Sequence, residues 1–144
     1  MKKPEAIKEM RKLVGTRYRH QGRSAKTGLD CVGLGLQYAK LLGLPLHDRK
    51  GYGRDPDGNL KQSICHVMGQ PIAQGTGSGS FVQEGDAVMM EWTPGVPRHV
   101  GMITEIEGVL YFMHANSSPT VMKVVEHRLS DDWRKRIVAV WRPA

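Results

Sequence analysis

One cysteine in the sequence has the surroundings of a catalytic nucleophile. Cys31 follows Asp30 and begins an almost wholly apolar run that ends at Leu42, before Gly43. The aspartate in front and the glycine behind predict a helix over this run. The N-terminal end of a helix favours a thiolate, and its free N–H groups can stabilise an oxyanion. The alternative for Cys31 is a small buried hydrophobic residue, which most lone cysteines are.

Two histidines could supply the acid–base chemistry that such a cysteine needs. His99 opens one predicted strand and His114 closes the next, and the turn signal Glu107-Gly108 between them predicts a hairpin. The hairpin would bring both imidazoles to the same end of the sheet. The chain order cysteine, histidine, second polar residue is that of papain-like enzymes, in which the third group orients the base. Each histidine alone could equally be a surface or core residue.

The elements that must position these residues are predicted helices in the first part of the chain and predicted strands in the second part. Helical spacing of apolar residues predicts an amphipathic helix over 4–14, the 31–42 run predicts a buried central helix, and a short helix is predicted over 60–68. Five β-rich runs follow, at 86–92, 99–104, 109–114, 121–125 and 137–141. This order predicts an α+β domain with the helices packed on one face of an antiparallel sheet of about five to six strands.

Composition limits the classes of function. The 144 residues carry 21 Lys and Arg against 14 Asp and Glu, a net charge of +7, which favours an anionic partner. Nucleic acid is disfavoured because the basic residues are scattered and aromatic residues are only 6% of the chain. No apolar run is long enough to span a membrane. Two cysteines are too few for a disulfide framework, so both are expected as thiols.

A metal site or cofactor is not indicated by the sequence. Cys65, His66 and His99 could in principle bind a metal ion together, but no C-x-x-C or H-x-x-x-H spacing supports zinc. The glycine-rich segment 75–79 lacks the Lys-Ser or Lys-Thr of a nucleotide site. We therefore expect neither a metal nor a cofactor.

Five short motifs occur in order along most of the chain. They are Gly15-Thr16-Arg17-Tyr18, Gly28-Leu29-Asp30-Cys31-Val32-Gly33, Glu84-Gly85-Asp86, Arg98-His99-Val100-Gly101 and Met113-His114-Ala115. Together they resemble the NlpC-type cell-wall peptidases. The resemblance implies a papain-like fold and hydrolysis of the stem peptide of peptidoglycan, usually at the bond from γ-D-glutamate to a diamino acid.

The resemblance also implies roles for individual residues. Cys31 would be the nucleophile, His99 the base and His114 the residue that orients the base. Tyr18 matches a tyrosine whose hydroxyl supports the oxyanion hole beside the Cys31 N–H. Asp30 matches the acidic residue before the nucleophile, as a helix cap and a possible substrate contact. Separately, Trp92 stands at a strand end near His99 and could line the substrate cleft.

The sequence departs from the family pattern at three places. Val32 stands where serine is more common, and His20-Gln21 replaces a common aromatic-glycine pair. The span between Cys31 and His99 is long, with an insertion over 44–80 that could form a lid or a docking surface. We treat residues 1–144 as a single peptidase domain that contains this insertion.

Three functions remain open from the sequence. No signal peptide or wall-binding module is visible, so we expect synthesis in the cytoplasm and delivery in a phage tail, as in tail-tip members of the family. The first hypothesis is thus a tail-associated peptidoglycan endopeptidase. The second is a tail assembly or docking protein without hydrolytic activity. The third is a thiol acyltransferase or amidase that acts on another amide or thioester.

Overall fold

A six-stranded antiparallel sheet with helices packed against it forms the fold. The computed structural model describes residues 1–48, 60–93 and 96–144, without the side chains of residues 92, 93 and 96–98. The helices are α1 (Lys3–Arg11), α2 (Cys31–Leu42), α3 (Leu60–Met68) and α4 (Asp131–Lys135). The strands are β1 (Arg23–Ser24), β2 (Gly28–Leu29), β3 (Ala73–Gln74), β4 (Ala87–Thr93), β5 (Val96–Ile106), β6 (Val109–Asn116), β7 (Lys123–Arg128) and β8 (Ile137–Trp141). The predicted α+β class is confirmed.

The strand order in the main sheet is β3-β8-β4-β5-β6-β7. Neighbouring strands are all antiparallel, and β1 and β2 form a separate small ribbon. The predicted hairpin joins β5 to β6, where Glu107 and Gly108 both have positive φ angles, of 51° and 81°. Two successive positive φ angles are the geometry of a two-residue hairpin turn. Among the described helices, none is both long enough and apolar enough to cross a membrane.

Helix α2 begins and ends as its sequence predicts. The Asp30 side chain accepts a hydrogen bond from the Gly33 N–H at 2.8 Å, and Gly43 ends the helix with φ of 76°. The expectation of burial on all sides is wrong, because only the face with Leu34 and Tyr38 is fully buried. The opposite side of the helix borders an open apolar cavity, so its apolar residues there stay partly exposed.

The sheet is covered on both faces. On one face, Met102 and Met113 pack with Ile7 of α1 and Leu34 of α2 in the same apolar cluster. Side chains alternate along a strand, so the next residues point to the other face. There Ile103 and Phe112 form a second cluster, against which Trp133 of α4 packs. The long helices thus share one face, while the short helix α4, which was not predicted, covers part of the other.

Candidate active site

Cys31 is the first residue of α2 and its side chain is half-buried. Backbone hydrogen bonds from Val100, from Val32 and from its own residue act on the sulfur and lower its pKa. Burial and the negative charge of Asp30 act in the opposite direction and prevail, raising the pKa of the Cys31 thiol to about 12. The prediction that the helix end stabilises a thiolate is therefore wrong for this state of the site. The loss of hydration of the sulfur raises its pKa more than the backbone donors lower it.

Asp30 is buried and holds the loop in front of α2 in place. Besides capping Gly33, its carboxylate accepts hydrogen bonds from the Gln21 N–H at 2.9 Å and from Arg23 at 3.0 Å. Arg23 also forms an ion pair with Asp48 at 3.0 Å. The interpretation of Asp30 as a helix cap is confirmed. Its contact with substrate stays a prediction, and both carboxylate oxygens already bind groups of the protein.

Three histidines form a diagonal row on one face of the sheet. His99 lies on β5, His114 on β6 and His127 on β7, each displaced by two residues from direct registry with the next. The ring centroids of His99 and His114 are 4.9 Å apart, and those of His114 and His127 are 5.0 Å apart. The hairpin therefore brings together the two histidines that the sequence analysis selected. His99 immediately precedes Val100, whose backbone hydrogen-bonds to the Cys31 sulfur.

The imidazole of His114 is enclosed by other rings. Its exposed fraction is 0%. Phe112 stacks on it at 4.5 Å between centroids, and Trp133 lies 5.3 Å away. Burial, and then the nearby His99 and His127, lower the pKa of His114 to about 2. His114 is therefore a neutral imidazole at physiological pH.

The backbone of Tyr18 lies close to the start of α2. It pairs with Leu29 through an isolated parallel bridge, two residues before Cys31, and its N–H donates to the Met122 carbonyl at 2.9 Å. Tyr18 lines a cleft together with Arg17, Arg19, His20 and Met122. A cleft with two arginines on its wall suits an anionic ligand.

A second, apolar cavity reaches Cys31 from the other side of α2. It lies between this helix, α3 and strands β4 and β5. Its lining consists of Cys31, Val32, Gly35, Leu36, Tyr38, His47, Leu60, Ser63, Ile64, Met68, Ala87, Val100, Gly101 and Met102. Val32, the departure from the family's more common serine, thus supplies an apolar wall here.

Other residues singled out from the sequence have simpler surroundings. The backbone of Trp92 belongs to β4, but its side chain lies outside the described residues, so its place in the cleft stays a prediction. Within the 44–80 segment, residues 49–59 lie outside the described residues, and α3 is confirmed at 60–68. Cys65 packs against the apolar cluster under α3, and the His66 ring stacks on His47 at 4.2 Å.

The sequence analysis missed the contribution of His127. The predicted strand ends at residue 125, whereas β7 continues to Arg128. In the structure the Nε2 atoms of His127 and His114 are 3.0 Å apart. The signal that could have found it is alternation: on a longer strand, His127 shares the face of Val125, the residue directly opposite His114.

Three solved structures resemble this fold. A lipoprotein-like protein of the NLP/P60 family from Staphylococcus aureus subsp. aureus Mu50 has a TM-score of 0.61 and 21% identity, over 95% of this chain and 39% of that one. The NlpC/p60 domain of the peptidoglycan hydrolase SagA has a TM-score of 0.59 and 19% identity, over 98% of both chains. Ly7917 with the hydrolysing product of MDP has a TM-score of 0.61 and 16% identity, over 99% and 63%. At these identities the likeness shows a common fold.

A match to a protein family extends over most of the sequence. None of the curated proteins matches the sequence significantly. The family model described as NlpC/P60, in contrast, matches residues 15–142. This range includes all five motifs and every residue of the site described above, and the family predicted from those motifs is confirmed. The chain belongs to the NlpC/P60 family.

Proposed function

We propose that this chain is a cysteine peptidase that hydrolyses the stem peptide of peptidoglycan. The observation that carries the proposal is that Cys31 lies against strand β5 at Val100, the residue after His99, and that the rings of His99 and His114 are adjacent. The Cys31 sulfur meets the backbone of Val100, next to His99, and the His99 ring lies 4.9 Å from that of His114. Membership of the NlpC/P60 family supports the class of enzyme. The named hydrolase among the similar structures supports the class of substrate.

The first chemical step is the transfer of the Cys31 proton to His99. A pKa of about 12 leaves the thiol protonated at neutral pH, so a base must take its proton as the sulfur attacks. The thiolate adds to the scissile carbonyl carbon, and the electron pair of that bond moves to the oxygen. The Cys31 N–H and the Tyr18 hydroxyl are the proposed donors to this oxyanion.

The second step releases the amine and then the acid. The tetrahedral intermediate collapses, the C–N bond breaks, and the imidazolium of His99 gives its proton to the leaving nitrogen. Water, deprotonated by the same imidazole, then attacks the thioester and frees the Cys31 thiol. Neutral His114 orients His99 and stabilises its positive charge in both steps.

We propose the γ-D-glutamyl to diamino acid bond as the bond cleaved, on the resemblance of the motifs around Cys31 and His99. Purified peptidoglycan digested with the protein should yield fragments with a new free amine on the diamino acid, identified by mass spectrometry. Fragments cut only between sugars, or only at the amide that joins the glycan to the peptide, would overturn this assignment. Transfer of the acyl group to an added amine in preference to water would instead support the acyltransferase hypothesis.

Delivery by a phage tail is the finer part of the proposal, and it rests on the likeness of the Asp30-Cys31-Val32-Gly33 motif to tail-tip members. The protein should co-purify with tail-tip components, with contacts in the 44–80 segment. Virions that lack the protein while lysing hosts normally through another hydrolase would contradict it. Assembly that requires the protein but tolerates Cys31→Ala would favour the docking hypothesis.

A further inference from the structure

His127 makes a hydrogen-bonded link between His114 and the protein backbone. Its Nδ1 lies 3.0 Å from the carbonyl oxygen of Arg128, and its Nε2 lies 3.0 Å from Nε2 of His114. This histidine is not among the residues that the family motifs assign to the catalytic site. Its ring is half-buried, and Trp133 packs on it at 4.6 Å between centroids.

These two contacts determine where the protons are. A carbonyl oxygen can only accept a hydrogen bond, so Nδ1 of His127 must carry a hydrogen. In the neutral imidazole, Nε2 of His127 then holds a lone pair and accepts. The hydrogen of the contact between the two rings therefore belongs to Nε2 of His114. The other nitrogen of neutral His114, Nδ1, is left with a lone pair.

The Nδ1 atom of His114 is buried and has no hydrogen-bond partner among the described residues. A buried nitrogen without a partner costs free energy, because it gives up its hydrogen bond to water and gains none. Such an atom in a native structure calls for an explanation, and a catalytic role is one. The adjacent ring is that of His99, which must become positively charged in the proposed reaction, and an acceptor on His114 would then receive an N–H of the imidazolium.

We infer that His127 is a positioning residue, which fixes His114 in the tautomer with a hydrogen on Nε2 and an acceptor at Nδ1. The effect on rate rests on the proposed function, whereas the tautomer does not. Without an acceptor at position 127, His114 is free to move its proton to Nδ1. A donor would then face the imidazolium of His99, and the transition state would lose stabilisation.

The test compares His127→Gln with His127→Leu. The Oε1 of glutamine can replace the acceptor that Nε2 supplied, whereas leucine keeps the bulk and removes the acceptor. Long-range ¹H–¹⁵N spectra of histidine-labelled protein at pH 8, above the usual range of histidine titration, report the tautomer of His114. Digestion of a soluble stem-peptide fragment reports kcat and KM.

We expect His114 to carry its hydrogen on Nε2 in the wild type and in His127→Gln, and to lose this preference in His127→Leu. We also expect kcat to fall by roughly tenfold or more in the leucine variant, with KM little changed. The fall in kcat should stay below the about 100-fold that a general base itself supplies. The glutamine variant should retain most of the wild-type kcat.

Two results would overturn the inference. One is a wild-type His114 with its hydrogen on Nδ1. The other is an equal loss of kcat in both variants, which would indicate a packing role. If the leucine variant does not fold, the wild-type and glutamine spectra still decide the tautomer. Absence of any hydrolysis by the wild type would defeat the proposed function, while the spectra would test the positioning role independently.

Discussion

Burial controls the protonation states of the proposed catalytic groups. It raises the pKa of the Cys31 thiol and lowers that of the His114 imidazole, in each case because the charged form loses hydration. The resting site is therefore neutral at both residues. In the proposed reaction, charge develops only later, next to backbone N–H groups and neighbouring rings that stabilise it.

The raised pKa of Cys31 predicts an unusual pH dependence of alkylation. Only the thiolate reacts with iodoacetamide, so the rate at Cys31 should still rise about tenfold per pH unit between pH 8 and 10. An ordinary thiol, with a pKa near 9.0, would already level off in this range. Peptide mapping by mass spectrometry separates Cys31 from Cys65, and Cys31→Ala gives the background. A plateau below pH 7 would indicate a preformed thiolate–imidazolium pair instead.

The lowered pKa of His114 predicts acid sensitivity of the fold. Its ordinary pKa is 6.5 and its pKa in the folded chain is about 2. Below pH 6.5 the unfolded chain therefore binds a proton at His114 that the folded chain does not bind. Stability from this group is complete above pH 6.5 and declines as the pH falls, by up to about 1.4 kcal/mol per unit. Urea unfolding from pH 7.5 to 4 measures the slope.

His114→Asn is the control for that measurement, because the amide does not titrate. Its free energy of unfolding should depend less on pH over the same interval than that of the wild type, whatever its absolute stability. Equal slopes in the two proteins would show that His114 is not the group responsible.

At the scale of elements, helix boundaries set by local capping were predictable. Asp30 and Gly43 define α2 to the residue, because a side-chain cap and a left-handed glycine act within one turn of the chain. Helix α1 ends at Arg11, earlier than the predicted residue 14, and Val14 is exposed. Strand β3 exists only by pairing with β8. Its two residues carry no pattern that a local analysis could detect.

The approach of Cys31 to β5 depends on contacts distant in sequence, and so does the His114–His127 contact. The sequence indicated residue types and a hairpin, which was enough to place His99 beside His114. It could not indicate that β7 extends to Arg128, nor that desolvation would outweigh the helix end at the Cys31 sulfur. Both results depend on how the sheet and helices pack, rather than on local propensity.

The close packing of α2 on the preceding loop predicts different effects for its two internal glycines. A Cβ on Gly33 would overlap with the carbonyl oxygen of Gly22, whereas a Cβ on Gly35 meets nothing within 4 Å in the part of the chain that the structure describes. Gly33→Ala should destabilise the protein by about 1–3 kcal/mol through overpacking. Gly35→Ala should stabilise it by up to about 1 kcal/mol through helix propensity. Urea denaturation measures both, and a loss of stability in both variants alike would contradict the packing account.

At the scale of the whole molecule, the net charge of +7 gives a general attraction to anionic polymers. The attraction is spread over the surface, so in the proposed function it assists binding to the wall without selecting a bond. Specific recognition has to come from the cleft beside Tyr18 and the cavity beside Cys31. The fold itself is shared with proteins only 16–21% identical in sequence, so in the proposed function these local surfaces determine which bond is cleaved.

Binding to intact peptidoglycan should therefore weaken as salt is added. The Debye length falls from about 10 Å at 0.1 M salt to about 3 Å at 1 M, which screens dispersed surface charges. Co-sedimentation of Cys31→Ala protein with purified sacculi separates binding from cleavage. Binding that salt leaves unchanged would contradict this account. Tight, salt-dependent binding to DNA without hydrolysis of the wall would favour a nucleic-acid partner instead.

The most direct test of the central claim is the release of soluble fragments from purified sacculi by the wild type, Cys31→Ala and Cys65→Ala at equal concentrations of folded protein. Cys65 is the matched control, since it is the other free thiol and lies outside the proposed chemistry. We predict that Cys31→Ala releases no fragments above the blank while Cys65→Ala stays close to the wild type. Wild-type release by Cys31→Ala, or an equal loss in both variants, would contradict the assignment of Cys31 as the nucleophile.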